Sequence, residues 1–419
     1  MRLVFINRFF YPDGSATALM LADLVEGLAP LRLEMHVITG RAAHTPGASG
    51  AAADFPAARL SVTRLPHLGA GHQSIAGRLV NFAVFYAALI VAGFARIRRG
   101  DIVICLTDPP LVGILAALLA HLKGAQLIHW VQDIYPETAT RLGYGSPTHP
   151  AIRLVTKLRD WAWRRASANV VIGDRMGEFL RERAAPARRV CVIPNWADEA
   201  ALSPLPAEDN PLRSQWGFSP ETIVVGYSGN LGRAHDASTM LGAAAIFAAQ
   251  PDPAVSFLFI GGGAKHALLA SADTDARLTG IITTRPYRPR GELRHSLAVP
   301  DIHWLSLEPE LEGLIVPSKF YGAAAAGRPV IFIGDPRGEI SALISDANCG
   351  ASFAKGDAAG VAEYLQRLAC DAQLRQRLGA NAREYCLAHL SRGRRMAQWQ
   401  SLIKAVATTD GLPGDQWAH

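Results

Sequence analysis

Cysteine is sparse and unpatterned in this chain. Cys105, Cys191, Cys349, Cys370 and Cys386 form no CxxC pair and no Cys/His spacing, which argues against a zinc site, and their odd number argues against a disulfide framework. They read as reduced thiols of a cytosolic protein. Nor does a long basic tail accompany the net charge of +6; the arginines are dispersed, so no nucleic-acid partner is expected. The positive excess suits a smaller anion or an anionic membrane surface. No secretory signal opens the sequence, because Met1–Ile6 runs straight into Asn7-Arg8 and reads as a buried strand. No internal repeat or low-complexity segment stands out. The first β/α stretch also lacks a GxGxxG with a following acidic ribose ligand, which speaks against a nicotinamide-dependent dehydrogenase.

What is present is a long alternation of apolar strand-like runs with helix-length segments. Leu3–Ile6, Met35–Ile38, Leu60–Leu65, Asp101–Leu106, Gln126–Val131, Ala168–Ile172 and Val190–Ile193 carry the strands of the first half. The pattern restarts at Ile223 with Ile223–Tyr227, Val255–Ile260, Ile281–Thr284, Ile302–Leu305 and Val330–Ile333. Such β/α order predicts parallel sheets covered by helices, and 419 residues exceed what one core usually organises. The stretch from Asn195 to Pro220, with Pro204, Pro206, Pro211 and Pro220, reads as a linker. We therefore expect an α/β protein of two Rossmann-like, doubly wound domains facing a central cleft. Residues 1–200 form the first domain and 201–391 the second. Residues 392–419 form a terminal helix and tail, with Met396, Trp399, Leu402, Ile403 and Val406 at helical spacing, returning toward the first domain.

Leu79–Ala95 is nearly continuous apolar sequence flanked by Arg78, Arg96, Arg98 and Arg99. It is short for a span and contains Asn81 and Gly93, leaving a membrane-surface helix, an ordinary buried helix and a short span as readings. The run Arg159-Asp160-Trp161-Ala162-Trp163-Arg164-Arg165 reads either as a packed face with solvated arginines or as the border of a lipid headgroup layer.

Two glycine turns, each directly after an apolar run, carry the functional signal: Gly229-Asn230-Leu231-Gly232-Arg233 and Gly261-Gly262-Gly263. Glycine lets the backbone approach an anion, main-chain N–H groups donate to phosphate oxygens, and a following helix N-terminus adds positive partial charge. With the downstream run Glu310-Leu311-Glu312-Gly313-Leu314-Ile315-Val316-Pro317-Ser318-Lys319, they describe a pocket for a nucleoside diphosphate.

These motifs, with Tyr11-Pro12-Asp13-Gly14-Ser15-Ala16-Thr17 near the start and Ala326-Gly327-Arg328-Pro329 near the end, resemble the retaining glycosyltransferases of family 4. More narrowly they are similar to the bacterial branch that builds capsular, O-antigen and exopolysaccharide repeats. The resemblance implies a GT-B fold, a UDP- or GDP-sugar donor, transfer with retention and no obligatory metal. It implies phosphate binding at Arg233, and Lys319 stands in for the second basic residue that Ala234-His235-Asp236 does not supply. Glu312 matches the family glutamate near the donor sugar. The ribose-binding glutamate falls on Gly322, so Glu308 or Glu310 is the substitute. Tyr287 and Arg288 follow the strand that contacts the base, Tyr287 either stacking or packing.

On the acceptor side the candidates are Tyr11, Asp13, Gly14, Ser15 and Thr17, with Ser15 serving equally as a helix N-cap. Asp133 is the candidate to orient the acceptor hydroxyl or take its proton, with a turn-capping carboxylate as the alternative. Gln132 stands where the family usually has histidine, His129 reads as a core residue, and Asp273-Thr274-Asp275 as a chance DxD. The expected acceptor is a lipid-linked sugar, met by a cytoplasmic protein peripheral at the inner face of the membrane through Leu79–Ala95. A nucleotide-sugar epimerase and a catalytically degenerate scaffold of the same fold are the rival readings.

Overall fold

The computed structural model describes residues 1–41, 55, 59–66, 75–250, 255–265, 268–269, 278 and 280–408. Asp273-Thr274-Asp275 lies outside them. The chain divides into two units, Met1–Pro194 with Met396–His419, and Asn195–Arg395.

The N-terminal unit is built on a seven-stranded parallel sheet of β1 (Arg2–Ile6), β2 (Glu34–Gly40), β3 (Leu60–Leu65), β4 (Ile102–Cys105), β5 (Gln126–Val131), β6 (Ala168–Val171) and β7 (Val190–Val192). Its order is β3-β2-β1-β4-β5-β6-β7. Leu3–Ile6 and Ile102–Cys105 are completely buried, as continuous apolar runs must be when helices cover both sheet faces. Strand order reverses between β1 and β4, and the loops at their C-terminal ends are where open α/β sheets bind ligands.

The C-terminal unit repeats the scheme with six parallel strands, β8 (Ile223–Asn230), β9 (Val255–Gly262), β10 (Ile282–Arg285), β11 (Ile302–Ser306), β12 (Val330–Gly334) and β13 (Gly350–Ala354). The order β10-β9-β8-β11-β12-β13 puts its switch point between β8 and β11. Tyr227, Phe257, Phe259 and Trp304 fill the core on one face of this sheet.

The proline-bearing stretch after Asn195 is no open linker. Trp196, Leu205, Leu212 and Phe218 are buried, Asn210 Nδ2 donates to the His295 carbonyl, and the guanidinium of Arg213 binds the Val299 carbonyl and the Asp301 carboxylate. The segment is a strap packed on the C-terminal unit, and Pro211 opens its short helix Pro211–Gln215 behind the Asn210 cap. From Met396 onward, the final helix Arg392–Ala407 belongs to the N-terminal unit. Met396, Trp399, Leu402, Ile403 and Val406 are buried, Trp399 lies 4.9 Å from Trp130 between ring centroids, and Gln400 donates to the Gly27 carbonyl.

Helix Ile75–Arg96 packs on the N-terminal unit through Asn81, Phe85, Leu89 and Gly93, spaced by four. A Cβ at Gly93 would stand 2.6 Å from Leu119. Its opposite face exposes Leu79, Val80, Ile90, Val91 and Phe94. Only 22% of the apolar window Leu79–Arg96 is buried, although length and composition would allow it to cross a bilayer. The helix is thus only part buried: the stripe anchors it, Tyr86, Ala88 and Ala92 pack partly against the core, and the opposite face is apolar and outward. In the run Arg159–Arg165, Trp163 is buried and Arg164 and Arg165 are exposed, while Arg159 is not a solvated arginine. It is buried, with its guanidinium 3.9 Å from the Trp163 ring centroid and forked onto both Glu137 oxygens at 2.7 and 2.9 Å.

Candidate active site

The two glycine turns end neighbouring strands. Gly229 on β8 stands opposite Gly261 on β9, and Asn230 opposite Gly262. Gly229, Gly261 and Gly263 have φ of 129°, 133° and 127°, a region that L side chains rarely occupy. Space imposes the same choice: a Cβ at Gly261 would lie 2.3 Å from the Gly229 carbonyl oxygen, and one at Gly263 would lie 2.5 Å from Asn230 Oδ1. Asn230 thus wedges its side chain between the turns while Leu231 N–H donates to the Gly262 carbonyl at 2.7 Å. The exposed ring of Tyr287 crosses this floor, 3.0 and 3.3 Å from where Cβ atoms on Gly261 and Gly262 would sit.

Lys319 reaches the same place from helix Lys319–Ala325. A Cβ at Gly229 would touch its Cε at 3.0 Å, and its Nζ lies 5.0 Å from the Tyr227 ring centroid and 3.3 Å from His235 Nε2. Burial lowers the Lys319 pKa to about 8, because desolvation disfavours the ammonium. Arg233 is exposed on the first turn. The structure therefore gathers Gly229, Asn230, Gly232, Arg233, Gly261, Gly262, Gly263, Tyr287 and Lys319 at the C-terminal end of β8 and β9, where Ser318 sits exposed as the residue before the Lys319 helix.

Other candidates are committed elsewhere. The Glu312 carboxylate accepts from Glu339 N–H at 2.8 Å, capping helix Glu339–Ala347, and leaves room at Gly338 for no Cβ, which would fall 2.3 Å from Glu312 Oε2. Arg288 is paired with Glu292. Glu308 gives one oxygen to Lys265 and the other to Lys355, each at 2.7 Å, and the two lysines lower its pKa against the cost of burial. Glu310 is exposed on the turn beside it. At Gly322 the nearest atom to an added Cβ is Leu297, 3.3 Å away, so that position packs on a neighbouring helix. The helix after the first turn, Ser238–Ala248, has its first two N–H groups already taken. Asp236 already accepts from Ser238 and Thr239 N–H at 3.2 and 3.1 Å.

In the N-terminal unit, Asp13 is buried after β1 and accepts from Ser15 N–H at 2.8 Å. Ser15 occupies the N-cap of helix Ala16–Leu28, yet its hydroxyl makes no capping bond; Asp13 has taken the turn instead. Gly14 is exposed with nothing within 4 Å of an added Cβ, and Tyr11 and Thr17 are partly exposed on either side. Asp133 follows β5, its N–H donating to Thr107 Oγ1 at 3.3 Å. Burial raises its pKa to about 6. Asp108, after β4, is raised to about 7 by burial and by Asp133 and Asp13, against the lowering pull of Arg8. The carboxylates of Asp13, Asp108 and Asp133 therefore share the ends of β1, β4 and β5, three strands adjacent in the sheet. Asp133 and Tyr135 also line a small cavity of about 30 Å³ with Thr107, His129 and Arg159. His129 itself is buried, with Gly113 so close that a Cβ there would meet its ring at 2.5 Å. Among the described residues, no group of three or more His, Cys, Asp or Glu side chains is gathered to hold a metal ion.

Residues 15–196 match the glycosyl transferase 4-like domain and residues 208–385 the glycosyl transferases group 1 domain. The "Probable glycosyltransferase WbjE" of Pseudomonas aeruginosa is 30% identical over 286 residues, 67% of this chain and 68% of that protein. The chain belongs to the group 1 glycosyltransferases. A 2-deoxystreptamine glucosyltransferase of Streptomyces kanamyceticus is 27% identical over 55% of this chain and 60% of its own length. The fold is GT-B, shared with sucrose-phosphate synthase of Thermosynechococcus elongatus at TM-score 0.75, 16% identity and coverage of 98% and 100% of the two chains. HepE of Anabaena, solved with UDP-glucose, matches at TM-score 0.70, 16% identity and coverage of 96% and 99%.

Sequence reasoning did not place His235, Lys265 and Lys355 beside this candidate site, where they contact Lys319 and Glu308. His235 was visible only as a departure from a basic pattern, and the lysines carry no motif. What brings them in is strand order, which places the ends of β8, β9, β11 and β13 along one edge.

Proposed function

We propose that this glycosyltransferase moves a sugar, with retention, from a UDP- or GDP-sugar to a lipid-diphosphate-linked acceptor in bacterial surface polysaccharide biosynthesis. The observation that carries the reading is the Lys319 ammonium against the Gly229 turn, beside the Gly261–Gly263 turn. Backbone free of Cβ atoms and a cation lie together there, as a leaving diphosphate requires. Arg233 is the second counter-charge, and the two together serve without an obligatory metal. The exposed ring of Tyr287 offers the base a stacking face. HepE's complexes with UDP and UDP-glucose support a nucleotide-sugar donor.

In the transfer step the bond between the anomeric carbon and the β-phosphate oxygen breaks as the acceptor oxygen bonds to that carbon on the same face. The acceptor proton passes to the departing phosphate oxygen, and the reading assigns Asp133 to orient the acceptor hydroxyl. The lipid-linked acceptor is reached from the inner face of the cytoplasmic membrane. The outward apolar face of helix Ile75–Arg96 supports this reading, continued by exposed Leu118 and Leu122 on helix Val112–Lys123 and by Leu154 and Leu158 on helix Pro150–Arg165. Exposed Arg96, Arg98 and Arg99 follow that helix, where anionic headgroups would meet them.

A panel of UDP- and GDP-sugars, incubated in chelator with membrane extract as acceptor, tests the reading. Release of nucleoside diphosphate that depends on the extract supports it. Isomerised nucleotide sugar without release indicates an epimerase, and the absence of binding to every donor indicates a scaffold; either result refutes it.

A further inference from the structure

His235 is a buried imidazole with both nitrogens engaged. Nδ1 lies 2.6 Å from the Ser306 carbonyl oxygen, a pure acceptor, so Nδ1 carries the proton. Nε2 is then a lone pair, and the Lys319 ammonium donates to it at 3.3 Å. The backbone around the ring is fixed from several strands: Lys265 Nζ donates to the His235 carbonyl at 2.5 Å, Glu308 N–H to the Ala234 carbonyl at 2.8 Å, and Ser306 Oγ to the Asp236 carbonyl at 2.6 Å. The ionisable groups facing this cluster are Lys319, Lys265 and Tyr227, with Glu308 behind Lys265.

We propose that His235 is a positioning residue which, tautomer-locked by the Ser306 carbonyl, holds the Lys319 ammonium against the Gly229 turn as the counter-charge for a diphosphate. A free lysine head group on a four-carbon stem samples many rotamers. One fixed acceptor aimed at Nζ removes that freedom before the anion arrives, and a second donor position on the ammonium stays available to phosphate. The imidazole suits the task because it remains neutral: burial and the neighbouring Lys319 lower its pKa to about 3, so it never competes with the ammonium as a second cation. This inference rests on the diphosphate reading of the glycine turns.

A double-mutant cycle on the full chain, read by calorimetric titration with UDP and with GDP, tests it. His235→Asn retains a donor for Ser306 and loses the Nε2 acceptor; His235→Gln extends an amide oxygen toward Nζ. Loss of one hydrogen bond to a charged group corresponds to about tenfold weaker binding in His235→Asn, with partial recovery in His235→Gln. Lys319→Ala should weaken binding at least as much, and His235→Asn added to Lys319→Ala should cost nothing further. UMP and GMP, which lack the β-phosphate, should show a smaller effect of either substitution. Additive losses, or unchanged binding in His235→Asn while Lys319→Ala weakens it, would overturn the positioning role alone. Unchanged binding in Lys319→Ala, or no binding of either diphosphate by the wild-type chain, would overturn the reading beneath it as well.

Discussion

Lys319 sits where its own charge is disfavoured, and that has a visible consequence for pH. Its pKa, lowered by burial to about 8, means the ammonium is present below that value and is lost as pH rises through it. Donor kcat/KM should therefore fall on the alkaline side of pH 8, and the limb should vanish in Lys319→Arg, whose guanidinium stays charged. A profile flat to pH 10 in the wild type would show that the donor-site ammonium is not held at this lowered pKa. At this scale the sequence was informative about residue types that chemistry demands. Gly229, Gly261 and Gly263 were legible because glycine alone suits their left-handed backbone, and at Gly261 and Gly263 also the 2.3 and 2.5 Å approaches. It was silent about commitments made by folding. Glu312 and Glu308 are carboxylates in a plausible motif, yet one is drawn to a helix N-terminus and the other to two lysines; no local pattern announces either partner.

At the scale of elements, the fully buried strands were the easiest to read, since four or five consecutive apolar residues admit few other fates in a β/α alternation. Helix Glu339–Ala347 and strand β13 escaped the sequence reading. Gly350–Ala354 is small and only partly buried, as an edge strand can be, so it lacks the apolar run that marked its neighbours. Helix Ile75–Arg96 shows the opposite difficulty: its composition is apolar all round, and the buried stripe through Phe85 and Leu89 is hidden among residues of equal hydropathy. Its outward face gives a direct expectation. Val91, 72% exposed, and Phe94, 47% exposed, lie where a bilayer surface would cover them, so Val91→Asp with Phe94→Asp should weaken sedimentation with anionic vesicles roughly tenfold or more. Calorimetric affinity for UDP or GDP should not change. Undiminished vesicle binding in that double variant would show that this helix is not the contact.

Over the whole molecule, the two units carry the same device, a doubly wound parallel sheet whose strand order reverses beside its first strand. The repetition was legible because the alternation stops at Asn195 and restarts at Ile223. The proline-rich stretch between them misled, since composition reports what backbone a segment prefers and says nothing of what packs on it. Family membership and fold follow from the matched domains and relatives; the chemistry rests on the turns at β8 and β9 and the cations beside them. Turnover of Arg233→Ala and Lys319→Ala, each compared with wild type on the donor found with membrane extract and each verified as folded, tests that claim most directly. The account expects each to lose about 10²-fold or more in kcat, the usual cost of removing one group that stabilises developing charge. Wild-type rates in both would contradict it.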